Sequence, residues 1–368
     1  MRLVVLLGED IAQSLGVIYT HRDEIREIIL LTDNNEEEQR RAFRFKRNLQ
    51  YFSEKLGLNW SVDTDTFYEI AIERIHNFYK KVTKDSMKVI FFSSDANAAH
   101  TIILGAFFLQ NSFVLLSYDA YDNTIFKIEK GRVITKSADK MDIETYCSML
   151  GYKVVEYLDE KEFIKDKESV CKLFENEERF QKVRRALLNN SKDFPYNHYN
   201  DIMKLLNRIN ILENNKLKYE HSKRRLQGQL FEEYVYWHCK EAGFEDVKLG
   251  CKIDFLAHSK DQNHVINEFD ILFIENNRIG TVECKYVHRL DGLSFVYKYD
   301  AIVDYFGRTA RALIVNIYQR EKKKGQDENF YNSVLKRARL GNVRVYTDKH
   351  FDPIQFKNSL KWLKGSKK

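Results

Sequence analysis

The stretch NEFDILFIENNRIGTVECKY, residues 267–286, limits what this chain can fold into more than any other. Asp270–Ile274 and Ile279–Glu283 are strand-like runs rich in branched residues. Between them, Asn276 and Asn277 can supply the two positive φ angles of a tight type I′ loop. That loop sets a register in which Glu275 faces Arg278, Asp270 faces Glu283, and Glu268 faces Lys285. Gly280 offers the alternative of a bulge that shifts the pairing by one. Directly opposed Cβ atoms lie roughly 4.5–5.5 Å apart, and the strand period puts all four charged side chains on one face. Opposed carboxylates weaken a sheet; a divalent cation between them reverses that sign. An ordinary solvent-facing surface is the bland alternative, but Thr281–Tyr286 shows no clean polar face.

The N-terminal half has a different grammar. LVVLL (3–7), EIILLT (27–32), KVIFFSS (88–94) and SFVLLSYD (112–119) are continuous apolar runs, the pattern of strands buried on both faces of a parallel sheet. Helical stretches at about 10–23, 35–57, 66–84 and 97–110 alternate with them, which predicts an open Rossmann-like α/β sheet. TIFKIEKGRVITK (124–136) reads as an added hairpin turning at Lys130-Gly131, and DIETYCSMLGY (142–152) as a short closing helix. Such sheets bind ligands beyond the C-terminal ends of their strands. The two loops concerned are LLGEDIAQSLG and FFSSDANAAHT, where free helix N–H groups suit phosphates. Ser93, Ser94, Asp95 and Asn97 also fit plain helix caps. Neither G-x-G-x-x-G nor G-x-x-x-x-G-K-[ST] occurs, so dinucleotide and Walker-type nucleotide use have no support.

At 368 residues, with 43% hydrophobic residues and two prolines, the chain can fill two or three cores. The division is a sensor-like unit at 1–158, a helical connector at 159–215, with a winged-helix module as an option, and a second α/β unit at 216–368. Its cysteines, 147, 171, 239, 251 and 284, are odd in number and lack C-x-x-C spacing, as in a reduced cytoplasmic protein without a zinc site. No apolar run is long enough to span a membrane, and no export signal precedes the first strand. Charge is uneven: residues 216–368 hold 29 Lys/Arg against 20 Asp/Glu, whereas residues 1–150 hold 19 against 22. The basic excess lies in HSKRRL, REKKKGQ, LKRARLGNVR and WLKGSKK, a distribution suited to phosphate neutralisation.

An Asp opening one strand and Glu-Cys-Lys on the next, 13 residues later, resembles the PD-(D/E)xK restriction-endonuclease-like superfamily, with Phe269-Asp270 in place of Pro-Asp. Upstream, RLQGQLFEEYVYWHCKEAGF (225–244) is an amphipathic helix in which Gly228, Glu232 and Val235 match the superfamily's first core helix. LSFVYKYDAIVDYFG (293–307) and RALIVNIY (311–318) supply the following helix and strand. The resemblance implies Mn²⁺ or Mg²⁺ held by Asp270, Glu283 and the backbone carbonyl of Cys284. Lys285 would orient water or stabilise the transition state, and Glu232 or its neighbour Glu233 would hold a metal-bound water, with a second metal as the alternative for Glu232.

The full arrangement is similar to the CRISPR-associated Rossmann-fold (CARF) nucleases of type III immunity: a Rossmann-like unit, a helical connector, then FEEYVY and NEFD…ECKY. This likeness implies a homodimer whose paired sensors bind a cyclic oligoadenylate and switch on cleavage of DNA, RNA remaining open. Cyclic tetra-adenylate is favoured because its two-fold symmetry suits a C₂ pair. Gly8, Gln13, Ser14, Ser94 and Asn97 are the ligand-loop residues carried over. The second loop departs from the Gly-Gly-Thr-Lys-like form of many relatives, which leaves ring size and contacts open. The helical connector between residues 159 and 226 is expected to carry the switching motion, because it alone joins the two units. A ligand-sensing DNA-binding regulator and an unregulated restriction or repair nuclease are the competing classes; the intact Asp270, Glu283 and Lys285 set argues against the former.

Overall fold

In the computed structural model, residues 1–67, 72–85, 87–93, 113–214, 216–255, 264–286, 292–317, 336–338, 341–348 and 352–365, with Thr101 and Gly105, are described. The first unit runs β1 (Arg2–Leu6), α1 (Ala12–Thr20), β2 (Glu27–Asp33), α2 (Glu36–Lys55), β3 (Ser61–Phe67), α3 (Ile72–Val82), β4 (Val89–Ser93), β5 (Val114–Asp119), β6 (Thr124–Glu129) and β7 (Arg132–Ser137). Their order in the sheet is β3-β2-β1-β4-β5-β6-β7. The strands from β3 to β5 are parallel, and β6 and β7 add an antiparallel hairpin. The apolar runs are buried as their composition requires: Leu3, Val4, Val5, Ile28, Leu30 and Leu31 have almost no exposure. The hairpin turns at Lys130 and Gly131, both at positive φ.

Two features depart from the expected layout. Ser61–Phe67 forms an edge strand where the sequence indicated only a joint and a helix from 66; its alternating Val, Asp and Thr residues lack the apolar run of a central strand. After α4 (Ile143–Leu150), strand β8 (Lys153–Leu158) leaves the first sheet altogether and pairs antiparallel with a strand of the second. The expected helix at 97–110 falls almost wholly outside the described residues.

The connector contains α5 (Glu160–Phe163), α6 (Lys167–Glu175), α7 (Glu177–Leu188), α8 (Asn200–Arg208) and a two-residue hairpin, β9 (Leu212–Glu213) with β10 (Lys216–Leu217). Then follow α9 (Glu220–Arg224), a π-helical turn (Arg225–Gln229), α10 (Leu230–Glu241), β11 (Asp246–Asp254), β12 (Ile266–Glu275), β13 (Arg278–Lys285), α11 (Gly292–Tyr305), β14 (Arg311–Ile317), β15 (Val343–Asp348) and α12 (Pro353–Leu363). The second sheet has the order β15-β14-β13-β12-β11-β8. It is parallel from β13 to β15 and antiparallel across β8, β11, β12 and β13.

Both faces of this sheet are filled. One is covered by α10, α12 and the connector, with Phe174 of α6 stacked on Tyr234 at 4.6 Å. The other shares a single apolar core with α1, α2 and α4 of the first unit. The connector is therefore not the sole join, as the linear sequence suggested. Tyr146 Oη donates to the Phe306 carbonyl at 2.6 Å, and Asn277 bonds Asn123, Asp139 O and Met141 N across the same contact.

Candidate active site

The hairpin forms as its loop chemistry requires. Asn276 and Asn277 have φ of 52° and 56°, and the ladder runs from Glu275 opposite Arg278 to Ile271 opposite Val282. No bulge forms at Gly280, which pairs with Phe273. Among the described residues the β12–β13 ladder stops there, so the further pairs expected for Asp270 and Glu268 are not part of it. Glu268 pairs instead with Lys252 of β11. The side-chain alternation also breaks at Asp270: Phe269 enters the core shared with the first unit, whereas Ile271 and Phe273 enter the opposite one. Opposite this break, Gly250 of β11 takes φ 60°, a conformation with little penalty only for glycine.

Where the strands part, a side chain replaces the ladder. The Cys284 backbone N–H donates to Asp270 Oδ2 at 2.7 Å. Glu283, almost fully buried, accepts from Tyr299 Oη of α11 and is ion-paired with Lys285 Nζ. Lys285 Nζ also lies 4.0 Å from Asp270 Oδ2. Burial alone would lower the Lys285 pKa, but Asp270 and Glu283 outweigh it and raise it. Asp270 is pushed well above the ordinary carboxylate range by burial, then by Glu283 and Glu232.

The structure separates the two helix acids. Glu232 is pushed up to about 7 by burial, with Lys285 opposing and Glu283 and Glu268 adding to the rise. It faces the hairpin site. Glu233 turns the other way, wholly buried, and is gripped bidentately by Arg225 Nε and Nη2 at 2.8 Å each. Arg225 also donates to Asp166 at 2.7 Å and to Ile209 O at 3.1 Å. This arginine belongs to the HSKRRL run expected to meet phosphate, so part of that basic excess is internal. The segments 318–335 and 366–368 lie outside the described residues.

Three contributors escaped sequence reasoning. Tyr299 carries no motif and reads as one more aromatic on an apolar helix face. The π turn at 225–229 sits just ahead of Glu232 and follows no periodicity signal. Arg184 of α7 donates to the carbonyls of Leu226 and Gln227 in that turn, at 2.7 and 2.5 Å, and covers the Tyr286 ring at 4.4 Å.

Three carboxylates around one ammonium leave an excess of negative charge on hard oxygen donors, the chemistry a divalent Mn²⁺ or Mg²⁺ suits. Among the described residues no three His, Cys, Asp or Glu side chains are gathered as a ready metal cage. The expected set of Asp270, Glu283 and the Cys284 carbonyl needs only two such side chains.

In the first unit, β1 and β4 are adjacent parallel strands, Leu6 beside Ser93, with β2 on the far side of β1 and β5 on the far side of β4. Gly8 follows β1 there. Gln13 is half-buried and donates to Asp10 Oδ2 at 3.3 Å. Ser14 is fully buried and donates to Ile11 O at 2.6 Å. Ser94 and Asn97 lie outside the described residues.

Residues 219–349 match the family described as the Card1-like endonuclease domain. No curated protein sequence matches the chain. In three dimensions the chain is similar to protein VC1899 from Vibrio cholerae, at 17% identity and TM-score 0.76, over 99% of this chain and 98% of that one. Can2 from Sulfobacillus thermosulfidooxidans, solved with cyclic tetra-adenylate, aligns at 13% identity and TM-score 0.68 over 98% and 96%. A type III CRISPR defence DNA nuclease activated by cyclic oligoadenylate aligns at 16% and 0.51, with 89% of this chain covering 47% of that one. Residues 219–349 thus resemble a Card1-like endonuclease domain, and the chain as a whole shares the two-unit fold of these solved structures.

Proposed function

We propose that this CARF-and-nuclease chain is a nuclease of type III CRISPR antiviral defence, switched on by a cyclic oligoadenylate and acting on DNA, with RNA open as a second substrate. The convergence of Asp270, Glu283 and Glu232 on Lys285 within a Card1-like endonuclease domain carries the reading. Can2, of the same fold, was solved with cyclic tetra-adenylate, which supports that ring as activator. A homodimer follows from sharing one two-fold ring between identical sensors. Among the described residues no helix is long and apolar enough to cross a membrane; the proposed location is the cytoplasm.

Asp270, Glu283 and the Cys284 carbonyl would hold Mn²⁺ or Mg²⁺, which when bound makes water more acidic and offsets phosphate charge. Lys285 Nζ would donate to a phosphate oxygen as negative charge grows on it. Glu232, with a pKa near neutrality, suits the proton of the attacking water. Water adds to phosphorus, the bond to the leaving oxygen breaks, and that oxygen takes up a proton from solvent.

The test is cleavage of plasmid and single-stranded DNA and RNA with manganese, with and without cyclic tetra-adenylate. Cutting that needs both activator and metal, and stops with chelator, is the expected result. Equal cutting without any cyclic oligoadenylate would remove the switch. DNA binding without cleavage under every condition would leave a regulator in place of a nuclease.

A further inference from the structure

The nuclease helix α11 is held at its C-terminal end by the sensor. A helix leaves its last carbonyls without intrahelical partners. Here Tyr152 Oη donates to Tyr305 O at 2.9 Å and Tyr146 Oη to Phe306 O at 2.6 Å. The Arg308 N–H donates to Asp10 Oδ2 at 3.0 Å, and the Arg308 side chain is ion-paired with Glu9. Gly307, at φ +98°, packs so closely that an added Cβ would lie 2.6 Å from Ala12 Cβ and 2.7 Å from Asp10 Oδ1. Glu9 and Asp10 belong to the loop after β1, and Ala12 opens α1. Two turns back along α11, on the same buried face as Phe306, Tyr299 donates to Glu283.

Asp10 ties the two ends together. It is 4% exposed, and its Oδ2 accepts from both Gln13 Nε2 and Arg308 N, while Oδ1 accepts from Ala12 N. Gln13, in the first turn of α1, is with Gly8 and Ser14 one of the residues expected to meet the activator. An activator that takes the Gln13 amide withdraws a donor from a buried carboxylate. Asp10 must then readjust toward its remaining donors, one of which is the end of α11.

We infer that α11 is the coupling element between sensor and nuclease. The loop at Asp10 sets its C-terminal end, and Tyr299 acts as the positioning residue that transmits this setting to Glu283. The inference rests on the activated-nuclease reading and names the regulation of that same site. It replaces the connector as the moving part, because the connector helices are packed on the opposite face of the nuclease sheet. Ligand shifts such an equilibrium only through unequal affinity for the two settings, which Asp10 provides by exchanging partners.

The test uses full-length protein, cyclic tetra-adenylate as probe, and three variants: Asp10→Asn, Gly307→Ala and Tyr299→Phe. Calorimetry reads activator and Mn²⁺ affinity; cleavage with and without activator reads the activation ratio. Asp10→Asn and, independently, Gly307→Ala should lower that ratio by about tenfold, within the usual range of coupling between sites, while cyclic tetra-adenylate still binds. Tyr299→Phe should weaken Mn²⁺ binding and lower kcat at unchanged KM for DNA, with activator affinity retained. Wild-type activation ratios in both Asp10→Asn and Gly307→Ala, or wild-type Mn²⁺ affinity in Tyr299→Phe, would overturn the coupling while leaving the activated nuclease intact. Wild-type protein that no cyclic oligoadenylate activates would remove both.

Discussion

Glu232 and Glu233 are neighbours in sequence with opposite expected responses to the same substitution. Glu233 is wholly buried and bidentate to Arg225, which also holds Asp166. Removing one partner of a buried ion pair leaves an uncompensated charge and costs about 3–5 kcal/mol. Unfolding entropy of about 2.1 cal/mol/K per residue over 368 residues gives roughly 0.8 kcal/mol/K. Glu233→Ala should therefore lower Tm by about 4–6 °C. Among the described residues Glu232 has no such ion pair, and its rise from 4.5 to about 7 corresponds to roughly 3–4 kcal/mol of penalty on its ionised form. Glu232→Ala should leave Tm unchanged or slightly higher at pH 8 without metal, yet remove cleavage. Calorimetric melting of both variants, with plasmid cleavage in manganese, checks the pair. A Tm loss in Glu232→Ala equal to that of Glu233→Ala, or full cleavage by Glu232→Ala, would refute the division of roles.

The same carboxylate predicts a pH slope. In metal-free protein Glu232 holds its proton to about pH 7 when folded and to about 4.3 when unfolded. The folded state thus binds more protons between those limits, and stability should fall as pH rises through them; urea titrations of Glu232→Gln should show a flatter profile. Asp270→Asn and Lys285→Ala should abolish cleavage while calorimetry still detects activator binding. Gly280→Ala places a Cβ 2.2 Å from the Phe273 ring, and overpacking of about 1–3 kcal/mol should appear as a lower denaturant midpoint. Arg184→Ala frees two carbonyls of the π turn and should cost about 2–3 kcal/mol, with slower cleavage as Glu232 loses its support.

Strands that bury both faces must be apolar throughout, so β1, β2 and β4 were legible from composition, and with them a parallel sheet. A two-residue loop at positive φ admits few residues, so Asn276-Asn277 and Lys130-Gly131 announced their hairpins, and the first fixed its register as far as Ile271 and Val282. Asp270, Glu283 and Lys285 could be proposed because charges inside apolar strands need a reason, and the structure brings them together. These are local constraints, each satisfied within a few residues of where it is written. Other features depend on partners distant in sequence. The polar strand β3 is a strand only because Glu27–Asp33 lies beside it. Lys153–Leu158 belongs to the second sheet because Asp246–Asp254 offers an open edge. Glu232 and Glu233 are indistinguishable until Arg225 and Asp166 claim one of them. Asp10 and Arg308 meet across almost 300 residues of chain. A buried polar group must find a hydrogen-bond partner, but which partner it finds is decided by packing, and periodicity along the chain carries no record of it.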